Sequence, residues 1–174
     1  LLDEAYLKIF KDGFDHNGNV ALKGNVDRDL VTTWLNQSYF IQDPPKSTGR
    51  DQFGLNWLNT YMKNIDKHNN EDILATLSYF TAQSIFLACE EFINDNNVSM
   101  LIVSGGGAHH MCTMKFLKNL FTPIQVVPSS KLNISVDSKE ALGFAMLAVA
   151  NVKEIPGNLP SVTGADKSVI LGKM

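Results

Sequence analysis

The sequence predicts an α/β protein rich in helix, and three observations carry this. An apolar run, Val98–Val103, ends in "SGGG". A helical pattern follows, with Met111, Met114, Leu117, Leu120 and Phe121 at helical spacing. A second apolar run, "PIQVVP" from Pro123 to Pro128, comes next. Strand, turn, helix and strand in that order is the pattern of a parallel crossover.

The other elements follow from spacing and breakers. Leu2, Ala5, Tyr6 and Ile9 predict a helix over Leu1–Phe10. "KDGFDHNGNVALKGN" is a Gly/Asn-rich loop. Its "DHNGN" has the composition of a calcium loop, but glycine stands fourth rather than sixth and Val26 replaces the needed Glu. Asp27–Asn36 reads as a helix burying Leu30, Val31, Trp34 and Leu35, and Trp34 and Trp57 read as core. Pro44 and Pro45 in "QDPPKSTGRD" end it. A helix is predicted over Asp51–Ile65, then a turn in "DKHNN". Asn70 is the expected N-cap of a long helix reaching about Asn94, where "DNN" stops it. A last helix is predicted over Ser138–Val152, followed by the shaped turns of "EIPGNLPSVTGAD".

Composition narrows the function. A chain of 174 residues with 44% hydrophobic and 19% charged residues fits one domain or one lobe of a larger fold. The net charge of -3, with scattered basic residues, gives no support for a nucleic-acid partner. Cys89 and Cys112 are too few for a disulfide framework and are expected to be buried free thiols. With no signal peptide in "LLDEAY", a reducing cytoplasm is expected. The opening reads as a helix already under way, so the chain is expected to be a piece of a longer protein. Ile73–Cys89 lacks charge, yet Thr76, Ser78, Thr81, Gln83 and Ser84 interrupt it. A buried helix is expected there, not a membrane span.

Gly105, Gly106 and Gly107 permit positive φ and leave backbone uncovered at the carboxyl end of a strand. The next helix turns its N-terminus into the same space, where open α/β sheets bind ligands, phosphates and nucleotides best of all. A tight turn alone does not need three adjacent glycines, which favours a ligand. A dinucleotide fingerprint would need glycine at His110, and a Walker loop would need Gly-Lys followed by Ser or Thr.

"VSGGGAHH" resembles the adenosine-side glycine turn of the sugar kinase/Hsp70/actin superfamily. "PPKSTGRDQFGLNWL", "SKEALGFAMLA" and "GNLPSVTGA" resemble, in order, the signature blocks of anhydro-N-acetylmuramic acid kinase. The resemblance spans nearly the whole chain. It implies an α-rich lobe with a small mixed sheet in a ribonuclease H-like, two-lobed ATPase fold. Residues 1–174 would be the C-terminal lobe, with the N-terminal lobe, its phosphate loop and the catalytic aspartate outside the chain. The implied activity uses ATP and water to open the 1,6-anhydro ring and phosphorylate O6, giving N-acetylmuramic acid 6-phosphate in cell-wall recycling. ATP with Mg2+ is the implied cofactor. The implied partners are the amino sugar and the N-terminal lobe, without nucleic acid or membrane, and a homodimer is left open.

The resemblance also carries residues. Gly105, Gly106 and Gly107 match the nucleotide turn, and His110 stands where the family usually has Asn. Adjacent His109 and His110 do not share a helix face, which argues against a metal pair and for a polar helix start. Glu140 matches an acidic residue near the sugar, where attacking water must lose a proton. The other reading of Glu140 is a first-turn acid favoured by the helix dipole. Asp137 is expected to cap that helix or stand by. Lys46, Ser47, Thr48 and Arg50 either face phosphate or sugar or join the lobes. Asn158 and Thr163 either reach ligand or fix their turn. By itself the lobe is expected to be inactive. The alternative is a non-catalytic nucleotide-binding or interaction domain of the same superfold.

Overall fold

The computed structural model describes residues 1–62, 68–95 and 98–172. Its helices are α1 (Leu2–Phe10), α2 (Arg28–Leu35), α3 (Leu55–Tyr61), α4 (Asn70–Asp95), α5 (Met111–Leu120), α6 (Lys139–Val152) and α7 (Pro160–Thr163). Its strands are β1 (Met100–Val103) and β2 (Gln125–Pro128). The expected turn at residues 66–67, the end of the helix predicted to Ile65, and Asn96 and Asn97 lie outside the described residues.

The strands are parallel and joined through α5, as the crossover pattern predicts. Met100 aligns with Gln125, Leu101 with Val126, Ile102 with Val127 and Val103 with Pro128. The predicted Val98 start is too early. Gln125 N–H donates to Ser99 carbonyl at 3.1 Å, and the chain before Gln125 turns, with Ile124 N–H donating to Phe121 carbonyl. Val98 therefore has no opposing strand residue. The sheet, expected to be mixed, is a parallel pair among the described residues.

α4 organises the core. Its Ile73–Phe80 stretch is buried throughout. One cluster gathers Ala5 of α1, Val31 and Trp34 of α2, Trp57 and Leu58 of α3, and Leu74, Leu77 and Phe80 of α4. A second joins Ala82 of α4 to Met114 and Leu117 of α5, with Phe121 and Val126. The window Asn70–Glu90 has the length and apolarity of a membrane span, and half of it is buried inside this fold. Cys112 is buried and Cys89 half-buried; both are free thiols, and burial pushes Cys112 up to about 11.

Three helix starts differ from expectation. α4 is capped by Asn69, not Asn70: the Asn69 side-chain oxygen accepts Asp72 N–H at 2.7 Å. α3 begins at Leu55 rather than Asp51. Gln52 and Phe53 N–H both donate to Gly49 carbonyl, closing a separate turn. Gly54 then packs its backbone so tightly on Arg50 that a Cβ would run into the Arg50 carbonyl oxygen. Between β1 and α5, Gly106–His109 forms a 3-10 turn, so the helix predicted from His109 starts at Met111.

Candidate functional site

β1 ends at Val103, and the glycine turn follows. Gly105 has φ 79° and ψ −177°, a conformation that only glycine adopts without strain. Gly106 and Gly107 have no such requirement. At all three positions, a Cβ would meet nothing within 4 Å. The turn therefore presents bare backbone to open space, and crowding inside this chain does not explain its glycines.

That space is a cleft of about 580 Å3. Gly106, Gly107, His109 and His110 form one wall, and Phe14, Asp15, His16 and Asn17 another. The "DHNGN" loop is thus part of the site wall. It is shaped by Asp15, which is 7% exposed. Its two carboxylate oxygens accept the N–H groups of Val20 and Ala21, each at 2.9 Å. Asp15→Ala leaves those two N–H groups without their acceptors. We expect a loss of ~1–3 kcal/mol for each group left unpaired, read as a lowered urea midpoint with an unchanged slope. Full stability in the variant would refute this role.

His110 is the N-cap of α5. Its Nδ1 accepts Thr113 N–H at 3.2 Å and lies 3.0 Å from Thr113 Oγ1. Burial lowers the His110 pKa, favouring the neutral ring that such an acceptor requires. The proton is thereby assigned to Nε2, which among the described residues is buried without a hydrogen-bond partner and faces Asp15 Oδ2 at 3.8 Å. Gly18, at φ 69°, lies flat over the ring; a Cβ there would press on Nδ1 at 2.8 Å. The ring borders the cleft, while both nitrogens are turned into the protein.

Two bonds tie the glycine turn to the segment entering α6. Gly105 N–H donates to Val136 carbonyl at 2.7 Å. His109 Nε2 lies 2.9 Å from Asp137 Oδ1. Asp137 therefore does not cap α6: the cap position is Ser138, which makes no side-chain cap bond. Glu140 sits exposed in the first turn of α6. Sequence spacing could not pair His109 with Asp137, because nothing local links positions 28 residues apart.

The Lys46–Arg50 loop borders a neighbouring cleft of about 370 Å3, which shares Leu1 and Thr81 with the first. Tyr39, Phe40, Phe53 and Phe80 line it with Lys46 and Thr48. The Lys46 ammonium donates to the carbonyls of Tyr39, Phe40 and Gln42 at 2.9–3.2 Å. An ammonium has three donors, so all are engaged within this loop. Thr48 Oγ1 donates to Gln52 Oε1 at 3.0 Å, and Ser47 and Arg50 are exposed. Asn158 fixes its own turn, accepting Val169 N–H at 2.6 Å and donating to Lys167 carbonyl at 3.0 Å. Thr163 likewise bonds to Leu159 carbonyl.

Two parallel strands joined through α5, with a bare glycine turn between β1 and that helix, define the class: a helix-rich mixed α/β protein. The family is narrower. The profile of the anhydro-N-acetylmuramic acid kinase family matches residues 1–174, and the chain belongs to that family. Proteins named anhydro-N-acetylmuramic acid kinase are similar to it along its length. The one from Cyanothece sp. is 39% identical, the match covering 100% of this chain and 47% of that protein. That from Salinibacter ruber is 37% identical over 100% of this chain and 45% of its own. That from Coxiella burnetii is 42% identical over 99% and 45%. The chain thus spans about half the length of these curated relatives.

Proposed function

We propose that this chain is the C-terminal, adenosine-side lobe of an ATP-dependent anhydro-N-acetylmuramic acid kinase with the sugar kinase/Hsp70/actin fold. The observation that carries this reading is the glycine turn, whose backbone faces open space: among the described residues, its own chain neighbours aside, nothing lies within 4 Å of any added Cβ. Close approach of a nucleotide to backbone gives Gly106 and Gly107 a reason to be glycine.

In this reading the cleft beside Gly105, Gly106 and Gly107 takes the adenosine end of ATP. His110 acts as a wall and as the anchor of α5, not as a hydrogen-bond donor to the nucleotide. ATP supplies the transferred phosphoryl group. Among the described residues, no group of three or more His, Cys, Asp and Glu side chains is placed to hold a metal ion. In this reading Mg2+ comes with the ATP phosphates.

Water adds to the anomeric carbon of the sugar, the bond from that carbon to O6 breaks, and O6 receives the phosphoryl group. Glu140, exposed at the start of α6, orients the water or accepts its proton. Its helix is held against the nucleotide turn through Val136 and Asp137. On the sugar side, Ser47, Thr48 and Arg50 reach substrate while Lys46 shapes their loop. A reaction that consumes ATP belongs in the cytoplasm.

Gly106→Val in the full-length protein separates this reading from a plain turn. The added side chain has room in the chain itself, so the melting temperature is expected to hold. Nucleotide affinity is expected to fall about tenfold or more, a loss of ~1.4 kcal/mol. Unchanged affinity would remove the turn from the nucleotide site. The 174-residue chain alone is expected to show no turnover, because half of the cleft is elsewhere; robust turnover would overturn the lobe assignment. A full-length protein that binds ATP but does not phosphorylate the sugar would instead be the non-catalytic domain.

A further inference from the structure

Helix α6 has the sequence of an interior helix and the exposure of a surface one. From Ala141 to Val152 it carries no charged residue, and its apolar side chains surround the axis. Such a helix belongs inside a protein. Yet no α6 residue is buried: Phe144 is 73% exposed, Met146 64% and Val152 72%. Apolar grooves run along two flanks. Met146, Val149 and Ile155 line one; Phe144, Val152 and Leu171 line the other. Gly143 adds an independent sign. Glycine inside a helix is destabilising relative to alanine, and among the described residues nothing beyond its own helix backbone lies within 4 Å of where its Cβ would be. Nothing in this chain requires glycine there, whereas a second backbone packed close to α6 would.

We propose that α6 is the docking helix for the other half of the polypeptide, the portion that the relatives carry and this chain lacks. The inference rests on the lobe reading given above. The length is sufficient: matches to the whole chain cover only 45–47% of each relative. The geometry favours this occupant over a second copy. A two-fold contact seats one patch against itself, which covers one flank and leaves the other in water. A tethered half as large as this chain can wrap both. Position agrees as well, because α6 starts where Val136 and Asp137 grip the glycine turn.

Hydrogen exchange on the full-length protein tests this. In the wild type, amides of α6 are expected to be protected by a factor on the order of 10³ or more, the level of a domain's global stability, and to stay protected on dilution. Phe144→Ser with Val152→Ser, and separately Met146→Ser with Val149→Ser, should each lower that protection about tenfold or more. Fast exchange of α6 in the wild type would overturn the proposal, and needs no variant to fold. So would protection that disappears on dilution, or that depends on one flank alone, since both point to a second copy. Because the readout is exchange, an inactive protein with a protected α6 refutes the kinase reading and leaves the docking helix standing. An active protein with a freely exchanging α6 does the reverse.

Discussion

Glu140→Gln in the full-length protein is expected to lower kcat on anhydro-N-acetylmuramic acid by on the order of 10²–10⁴. Two facts place the carboxylate. It lies exposed in the first turn of α6, and the segment just before it is pinned to the glycine turn by the Val136 and Asp137 bonds. The proposed reaction needs a proton acceptor where water attacks the anomeric carbon, and the amide of glutamine has the shape of the carboxylate without its basicity. Nucleotide affinity is expected to stay unchanged, since the turn is untouched. The competing account, a helix-start acid favoured by the dipole, is worth only ~0.3–1 kcal/mol of stability and predicts normal kinetics. An unchanged kcat would therefore return Glu140 to that role and move the chemistry wholly to the other half of the protein.

What the sequence reveals of this site divides along contact range. The crossover was legible because β1, α5 and β2 are consecutive and each keeps its own period. The glycine turn was legible because three adjacent glycines interrupt strand and helix alike. The cap of α5 was half-legible: a polar start at His110 was expected, and its Nδ1 does accept Thr113 N–H. Its backing was not legible. Gly18 and Asp15 face that ring from far upstream, in a Gly/Asn-rich loop whose spacing argues against calcium and says nothing of a contact with His110. The pairing of His109 with Asp137 is hidden for the same reason, and Asp137, read as the cap of α6 or a bystander, proves to be neither. Lys46 shows a different limit. Its charge suggested a ligand, but carbonyls of its own loop engage all its donors, and no local pattern reports where a backbone bends its carbonyls.

Element ends were least legible where glycine or proline redirect the chain. Asp51–Leu55 has acceptable helix composition. The close approach of Gly54 to Arg50 makes a separate turn instead, and α3 starts after it. α6 shows the converse. Its extent was read to within a residue, yet its uniform apolarity has no explanation inside this chain. Propensity dictates the helix, and burial must come from elsewhere.

Trp34→Ala is expected to destabilise the protein by ~3–5 kcal/mol, the range for deleting a large buried aromatic. Trp34 is 0% exposed. Its ring meets Trp57 edge-on at 5.1 Å and Phe80 at 5.4 Å, while Trp57 stacks on Phe80 at 5.3 Å. Removing it opens a cavity where α2, α3 and α4 meet. Trp34→Phe separates volume from polarity. Among the described residues the indole Nε1 is buried without a hydrogen-bond partner, a burden of ~1–3 kcal/mol that phenylalanine does not carry. Trp34→Phe should therefore lose well under half of what Trp34→Ala loses, because relief of the unpaired N–H offsets part of the missing ring. Urea midpoints of the three proteins, followed by far-UV circular dichroism, decide the matter. If Trp34→Phe proves as damaging as Trp34→Ala, the indole N–H must hold a partner, and the aromatic cluster at the root of α4 is joined by a hydrogen bond as well as by packing.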